Sequence, residues 1–96
     1  MFLLIVGYTQ SPEQVAVHAP AHAEWVKQYV EEGVFLFAGP KKSKLGGAIL
    51  VKSIDKQKLK AIIAEDPFVK SDVAEYQMID FDCKATSQQL SFLQAM

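Results

Sequence analysis

Hydrophobic residues are distributed along this chain in two patterns, one typical of strands and one typical of helices. Continuous runs of apolar and β-branched residues, bounded by glycine, proline or polar turns, are typical of strands covered on both faces. Three such runs and the segment AEYQMIDFD predict four strands, at residues 2–8, 34–40, 46–52 and 74–82. The segment PKKSKLGG, between the second and third runs, has the composition of a hairpin connection between antiparallel strands.

Apolar residues at helical spacing predict two helices. The first helix carries four of them on one face: Trp25, Val26, Tyr29 and Val30. Gly33 is placed to end this helix in a left-handed conformation. Because Pro20 disfavours helical geometry at the residue before it, we expect the main helix to begin at Pro20. A separate short helical turn precedes it, with Ser11 as the cap and Pro12 in the first helical position.

The second predicted helix begins after the candidate caps Ser53 and Asp55 and ends before Pro67. The elements therefore follow the order β-α-β-β-α-β, which predicts an α+β fold of the ferredoxin-like type. In this sandwich, a four-stranded antiparallel sheet carries two helices on one face. We assign residues 1–83 to this domain and residues 84–96 to a C-terminal tail that forms a short helix or the arm of a dimer.

The first three predicted strands are apolar at consecutive positions, although helices cover only one face of such a sheet. The second face of the sheet therefore needs to be buried against another surface, and the simplest such surface is the same sheet face of a second molecule of this protein. We predict a homodimer.

Composition excludes several classes of partner. The 96 residues are 50% hydrophobic and 22% charged, as expected for a packed domain, and the net charge of -1 gives no general attraction to nucleic acid or anionic membranes. Cys83 is the only cysteine, so no internal disulfide can form, and a reducing, cytoplasmic location is expected. The apolar opening lacks the basic start of a secretory signal and is too short to span a bilayer.

The two histidines, His18 and His22, are four residues apart. This spacing lets two imidazoles bind one metal ion on a continuous helix, but the boundary expected at Pro20 breaks the geometry, and we predict no metal site. His22 falls in the first turn of the main helix, on the face of Trp25, where the helix dipole and partial burial favour a neutral imidazole. Such an imidazole can accept a proton, but a lone histidine near a helix start is more often a packing residue, and the residues alone favour that role.

Asp66 stands before Pro67, where an aspartate commonly caps a helix or initiates a turn by accepting the backbone N–H of Phe68 or Val69. A functional role requires Asp66 to reach His22 and orient its ring, and sequence spacing alone cannot establish that contact.

Other candidate groups have simpler structural explanations. Lys41 and Lys42 could hold an anionic substrate near the hairpin, or they could keep the hairpin tip soluble. Tyr8, Tyr29 and Tyr76 could supply a phenolic proton, but each lies in an apolar element, where core packing is the default.

Two motifs resemble the YCII-related (YciI-like) family of small proteins. They are the segment PAHAEWVKQYVEEGVFLFAGP, opened by a proline and a histidine, and the segment AEDPFVKSDVAEYQMIDF before and within the last strand. The resemblance extends from the first strand to about Phe81. It implies a dimeric α/β barrel of the ferredoxin-like type, as in muconolactone isomerases, and an active site formed by a histidine and an aspartate, which correspond to His22 and Asp66.

The implied chemistry is cofactor-free acid–base proton transfer on a small cyclic or aromatic compound, of the lyase, dehydrochlorinase or isomerase type. Many relatives have a basic residue a few positions before the first-helix histidine, where this chain has Val17, His18 and Ala19, so His18 could take over substrate binding. Relatives also often read Val-Lys-Ala-Gly where this chain has VKSD at residues 69–72. The alternative is a non-catalytic dimeric module that binds a small molecule or regulates, with structural His22 and Asp66.

Overall fold

A computed structural model describes residues 1–96. Its four strands are β1 (Phe2–Tyr8), β2 (Phe35–Pro40), β3 (Gly46–Val51) and β4 (Ala74–Asp80). They form one sheet in the order β2-β3-β1-β4, and every neighbouring pair is antiparallel. The helices are α1 (Pro12–Glu31), α2 (Lys56–Ala64), the single turn α3 (Pro67–Lys70) and a 3₁₀ helix (Gln88–Ala95). This topology confirms the predicted ferredoxin-like α+β fold, with α3 as an addition that the sequence did not predict.

Helix α1 is continuous, so the predicted boundary at Pro20 is wrong. Pro20 lies inside the helix and has no N–H to donate to the carbonyl of Ala16. Both residues are exposed, so water can bind the free carbonyl instead. Val15 before the proline is buried, as are Trp25 and Tyr29 after it. Packing on both sides of Pro20 therefore outweighs its local preference.

The predicted capping residues Ser11 and Gly33 are confirmed, although Ser11 caps the continuous α1 rather than a separate turn. The Ser11 hydroxyl accepts the Gln14 backbone N–H, the Gln14 side chain bonds back to the Ser11 backbone, and Pro12 occupies the first turn. After the helix, Gly33 adopts a φ of 76°, the left-handed conformation that glycine tolerates best. These caps set where α1 enters and leaves the sheet surface.

The main core lies between the sheet and helices α1 and α2. The indole N–H of Trp25 donates a 3.1 Å hydrogen bond to the carbonyl of Ile62, which ties α1 to α2. The buried residues of this core are Phe2, Leu4, Trp25, Tyr29, Phe35, Ile49, Val51, Leu59 and Ile62. A smaller cluster lies under α3 and comprises Val6, Val15, Phe68, Val73 and Ala74. This second cluster supports the site described below.

The opposite face of the sheet carries an apolar row across all four strands: Phe37, Leu50, Leu3 and Ile79, which are paired in register. Leu93 of the 3₁₀ helix packs on Leu50 and Met1, so the tail covers one end of this face. Phe37 remains 57% exposed and Ile79 39% exposed. The tail thus explains part of the apolar face, and its role as a dimer arm stays a prediction.

No helix in the chain combines the length and the apolar character that a membrane crossing requires.

Candidate active site

His22 and Asp66 are in direct contact. The Nδ1 of His22, on α1, lies 2.7 Å from Oδ1 of Asp66, 44 positions later in the chain. The same oxygen accepts the Phe68 backbone N–H at 3.0 Å, so Asp66 caps α3 as the sequence suggested. The Asp66 side chain is completely buried, whereas the His22 side chain keeps 21% of its surface exposed. The contact that a functional role requires is therefore present.

Tyr76 on β4 completes the hydrogen bonding of the carboxylate. Its hydroxyl donates to Oδ2 of Asp66 at 2.6 Å. Burial, together with the bond to Asp66, raises the pKa of Tyr76 above its ordinary value, which keeps the phenol a donor. Because a carboxylate only accepts hydrogen bonds, Nδ1 of His22 is the donor in this contact, and in the neutral imidazole Nε2 then holds the lone pair.

Phe68 fixes the plane of the imidazole. Its ring stacks on His22 with centroids 3.9 Å apart and an interplanar angle of 9°. On another side of the ring, Trp25 lies at a centroid distance of 5.7 Å. Phe68 is also in edge contact with Tyr8, at 5.6 Å and 83°. The one-turn helix α3 therefore orients His22 twice, through the carboxylate that caps it and through the aromatic ring that it carries.

A cavity of about 280 Å³ opens beside His22, between α1 and one end of the sheet. Only two of its walls are polar side chains, those of His22 and Tyr8. The remaining walls are formed by Val6, Ala23, Val26, Ala38, Gly39, Pro40, Gly46, Gly47, Ala48 and Ile49. Nε2 of His22 has no hydrogen-bond partner in the chain. Every buried side-chain nitrogen or oxygen in the chain does have a partner, so Nε2 must be accessible to solvent. Nε2 is thus an accessible atom without a partner, on a side chain that lines a largely apolar cavity.

Two glycines let the backbone form one wall of this cavity. A Cβ on Gly46 would lie 1.8 Å from the carbonyl oxygen of Val6, and a Cβ on Gly47 would lie 2.9 Å from that of Gly39. Gly46 also has a φ of 151°. The close approach of β3 to its neighbours therefore requires glycine at these positions.

The other predicted site residues lie elsewhere. His18 is half-buried, and its Nδ1 lies 3.2 Å from the Ser71 hydroxyl rather than at the cavity. Lys41 is half-buried in the hairpin and Lys42 is exposed, and neither lines the cavity. The structure brings together His22 and Asp66 but not these three residues, whose substrate-binding role stays a prediction.

Continuity of α1 places His18 and His22 one turn apart on a single helix, contrary to the separation predicted at Pro20. Their Nδ1 atoms nevertheless face different partners, Ser71 and Asp66. No group of three or more His, Cys, Asp or Glu side chains in the chain is arranged to hold a metal ion.

The sequence did not predict the role of Phe68, and it gave Tyr76 and Tyr8 only as two of three candidate phenols. Phe68 stands in the Asp-Pro-Phe motif, so the motif itself was the available signal. Tyr76 and Tyr8 were assigned to core packing by default, and nothing in their spacing indicates that one reaches Asp66 and the other lines the cavity.

Comparisons with known proteins bear on the family and the fold. The model of the YCII-related domain family matches residues 1–82. A similar solved structure is a 5-chloro-2-hydroxyhydroquinone dehydrochlorinase from Burkholderia phenoliruptrix AC1100, in complex with 2,5-dihydroxybenzoquinone. The TM-score is 0.66 at 14% identity, over 85% of this chain and 94% of that chain, a likeness that supports the fold. Among curated proteins, none matches the sequence significantly.

Proposed function

The chain belongs to the YCII-related domain family, and from this premise we propose that it is a small-molecule enzyme that uses His22 and Asp66 for acid–base proton transfer. His22 is the general base and acid, and Asp66 orients it. The substrate is a small cyclic or aromatic compound, and the reaction needs neither a metal nor an organic cofactor. Membership of the family confirms the resemblance that the sequence motifs carry.

One observation carries the proposal: Nδ1 of His22 is bound to a buried carboxylate, while Nε2 is free at an apolar cavity. Asp66 fixes the tautomer that leaves Nε2 basic, and it also stabilises the imidazolium that forms when Nε2 takes a proton. Stacking on Phe68 keeps the ring in one orientation through both steps. A histidine that served only in packing would not require an open lone pair.

The reaction class follows from what a single base can do. Nε2 takes a proton from a carbon of the substrate, and the electron pair of the broken C–H bond forms a new double bond. In an elimination, the pair of a C–Cl bond leaves as chloride; in an isomerisation, the imidazolium returns the proton to a different carbon. The dehydrochlorinase of similar fold acts on a chlorinated ring compound, which supports the first alternative.

Turnover of small ring compounds by the wild type and by His22→Gln tests the proposal. We expect a screen of lactones, chlorinated hydroquinones and cyclic enones to give a substrate whose turnover falls at least roughly a hundredfold in the variant, the usual contribution of a general base. Lys27→Gln is a matched control, because Lys27 is exposed on the same helix and does not line the cavity. Full activity of His22→Gln on that substrate would refute the mechanism.

The alternative is a non-catalytic dimeric module that binds a small molecule, and the capping role of Asp66 favours it. In that case, His22→Gln retains whatever ligand affinity the wild type has, and no compound of the screen is turned over by either protein.

We further propose a homodimer that buries the row of Phe37, Leu50, Leu3 and Ile79 on the open face of the sheet. Phe37 and Ile79 are exposed at the two ends of this row and support the assembly, because a partner copy would remove their apolar surface from water. The cytoplasmic location stays a prediction, supported by the free thiol of Cys83.

A further inference from the structure

We infer that Tyr8 is a second catalytic residue of the cavity, whose hydroxyl donates a hydrogen bond to a substrate oxygen that gains negative charge. The substrate class is then a neutral single-ring compound with a carbonyl oxygen conjugated to the carbon that loses its proton. This inference rests on the proposed function and adds to it the group that stabilises the product of proton transfer.

The hydroxyl of Tyr8 is available for a ligand. It forms no hydrogen bond with another group of the chain, unlike the hydroxyls of Tyr29 and Tyr76, which bind Glu65 and Asp66. Because no buried side-chain polar atom lacks a partner, the Tyr8 hydroxyl is open to solvent. Tyr8 and His22 are also the only polar side chains that line the cavity, so each leaves an unpaired polar atom accessible beside the same space.

The two groups are held in a fixed relation by Phe68. His22 stacks on the face of this ring at 3.9 Å, and Tyr8 meets it at 5.6 Å and 83°. Phe68 is itself 2% exposed and cannot move without disturbing the cluster under α3. On the backbone side, the Tyr8 N–H donates to the carbonyl of Leu45 at 3.2 Å. An acid–base pair needs such a fixed geometry, because small displacements of reacting groups cost large factors in rate.

The charge of the cavity walls selects a neutral substrate. No lysine, arginine, aspartate or glutamate lines the cavity. A carboxylate or phosphate group that enters as an anion would therefore lose its water without meeting a permanently charged side chain, which is unfavourable in an apolar site. With a volume of about 280 Å³, the cavity is at the small end of the range of ligand pockets, which suits a single ring.

The proton and electron balance of the step is complete with these two groups. Nε2 of His22 takes the proton, and the pair of the broken C–H bond forms a C=C bond. The π pair of the carbonyl moves onto oxygen, where the Tyr8 hydroxyl stabilises the resulting enolate by a charge-assisted hydrogen bond. When the oxygen re-forms its C=O bond, the C=C pair either expels a leaving group, after which the imidazolium gives its proton to water, or takes the proton back from the imidazolium at another carbon. No oxidant or reductant is required.

Binding of 4-nitrophenol tests the role of Tyr8 without any turnover. Proton transfer from this phenol to His22 places a negative oxygen in the cavity, and its absorbance shows whether it is bound as the phenolate. At a pH where the free compound is mostly protonated, we expect the wild type to bind it with an increase in phenolate absorbance. Tyr8→Phe should weaken this binding roughly tenfold or more, the loss expected for a hydrogen bond to a charged group.

Two controls isolate the hydroxyl. Tyr29→Phe removes the same atom from a tyrosine that does not line the cavity, and it should leave binding unchanged. The ether 4-nitroanisole, which cannot carry the charge, should bind the wild type and Tyr8→Phe equally. Wild-type affinity for 4-nitrophenol in Tyr8→Phe, or no phenolate bound to the wild type, overturns the inference. Neither result touches the turnover comparison with His22→Gln, so a failure of Tyr8 and a failure of the proposed function can be told apart.

Discussion

The hydroxyl of Tyr76 holds the oxygen of Asp66 that His22 does not contact, at 2.6 Å from Oδ2. Asp66 thereby joins α1, α3 and β4 through three donors, which are the His22 imidazole, the Phe68 backbone N–H and the Tyr76 hydroxyl. The carboxylate is completely buried. If it were removed, water could not take its place as the hydrogen-bond acceptor for these three donors. The same carboxylate therefore orients the imidazole and stabilises the fold.

Asp66→Asn should damage both stability and turnover. The amide cannot accept from all three donors, so the free energy of unfolding should fall by about 1–3 kcal/mol, more than the ~1 kcal/mol of an ordinary cap. Turnover should fall at least roughly a hundredfold, because the Asn no longer fixes the tautomer of His22. Urea unfolding and kcat measure the two effects.

Asp55→Asn is the matched control, because Asp55 caps α2 at an exposed position and asparagine caps almost as well. It should change neither quantity appreciably. Loss of stability in Asp66→Asn with unchanged turnover would mean that the carboxylate is purely structural.

Tyr76→Phe should separate positioning from substrate binding. The phenyl ring can still pack, but Asp66 loses one hydrogen bond and His22 loses some of its fixed orientation. We expect kcat to fall roughly ten- to hundredfold while KM stays within about twofold, since Tyr76 does not line the cavity. Steady-state kinetics on the substrate of the His22→Gln comparison measures both. A rise in KM at constant kcat would contradict the assignment.

The sequence predicted the layers of the fold but not where α1 begins. Hydrophobic runs and helical spacing are set by burial, so they located all four strands, α2 and the C-terminal end of α1 within a few residues. Pro20 misled because its preference is local, whereas Val15 and Trp25 pack on both sides of it in the folded chain. The sheet face opposite the helices was likewise predicted to be uncovered, because the spacing of apolar residues in the tail does not indicate that Leu93 packs on Leu50.

The candidate site was predictable only in part. The Asp-Pro turn and the histidine near a helix start gave Asp66 and His22 as candidates, but their contact depends on tertiary packing across 44 positions. The positive charges of Lys41 and Lys42 suggested that they bind substrate, but these residues do not line the cavity. Ammonium groups at a hairpin tip are more stable in water than against apolar walls. Tyr8 could not be singled out among the three candidate tyrosines, because a phenol at the end of a strand has the same sequence context whether its hydroxyl is paired or free.

Stability at alkaline pH should depend on Tyr29. Its hydrogen bond to Glu65, followed by burial, raises the pKa of Tyr29 from 10.0 to about 12. Below pH 10 the phenol is protonated in both states. Between pH 10 and about 12 the unfolded chain loses a proton that the folded chain keeps, so this contribution to stability is lost as the pH rises.

The variant Tyr29→Phe has no phenol and therefore lacks the contribution that the raised pKa of Tyr29 makes to the free energy of unfolding. The stability difference between wild type and variant should therefore be largest below pH 10 and shrink toward pH 12, as measured by urea unfolding at several pH values. A difference that stays constant across this range would show that the hydrogen bond to Glu65 does not hold the phenol protonated.

Ala38→Leu should close the cavity without weakening the fold. Ala38 lies on the edge strand β2, is exposed, and contributes to the cavity wall, so a larger side chain has room outside the core but narrows the site. We expect KM for the substrate, or Kd for 4-nitrophenol, to rise roughly tenfold or more, with the urea midpoint nearly unchanged. Unchanged affinity in a folded variant would place the ligand elsewhere.

Phe37→Glu should convert the proposed homodimer into a monomer. Phe37 begins the apolar row of the open sheet face and is 57% exposed, so a carboxylate there costs the isolated chain little but would be buried unpaired between two copies. Sedimentation at increasing protein concentration should show a dimer for the wild type and a monomer for the variant. Val17→Glu is the control, because Val17 is 73% exposed on α1, away from this face, and should leave the dimer intact. A wild type that sediments as a monomer throughout would exclude this interface, and the exposed row would then need a different partner.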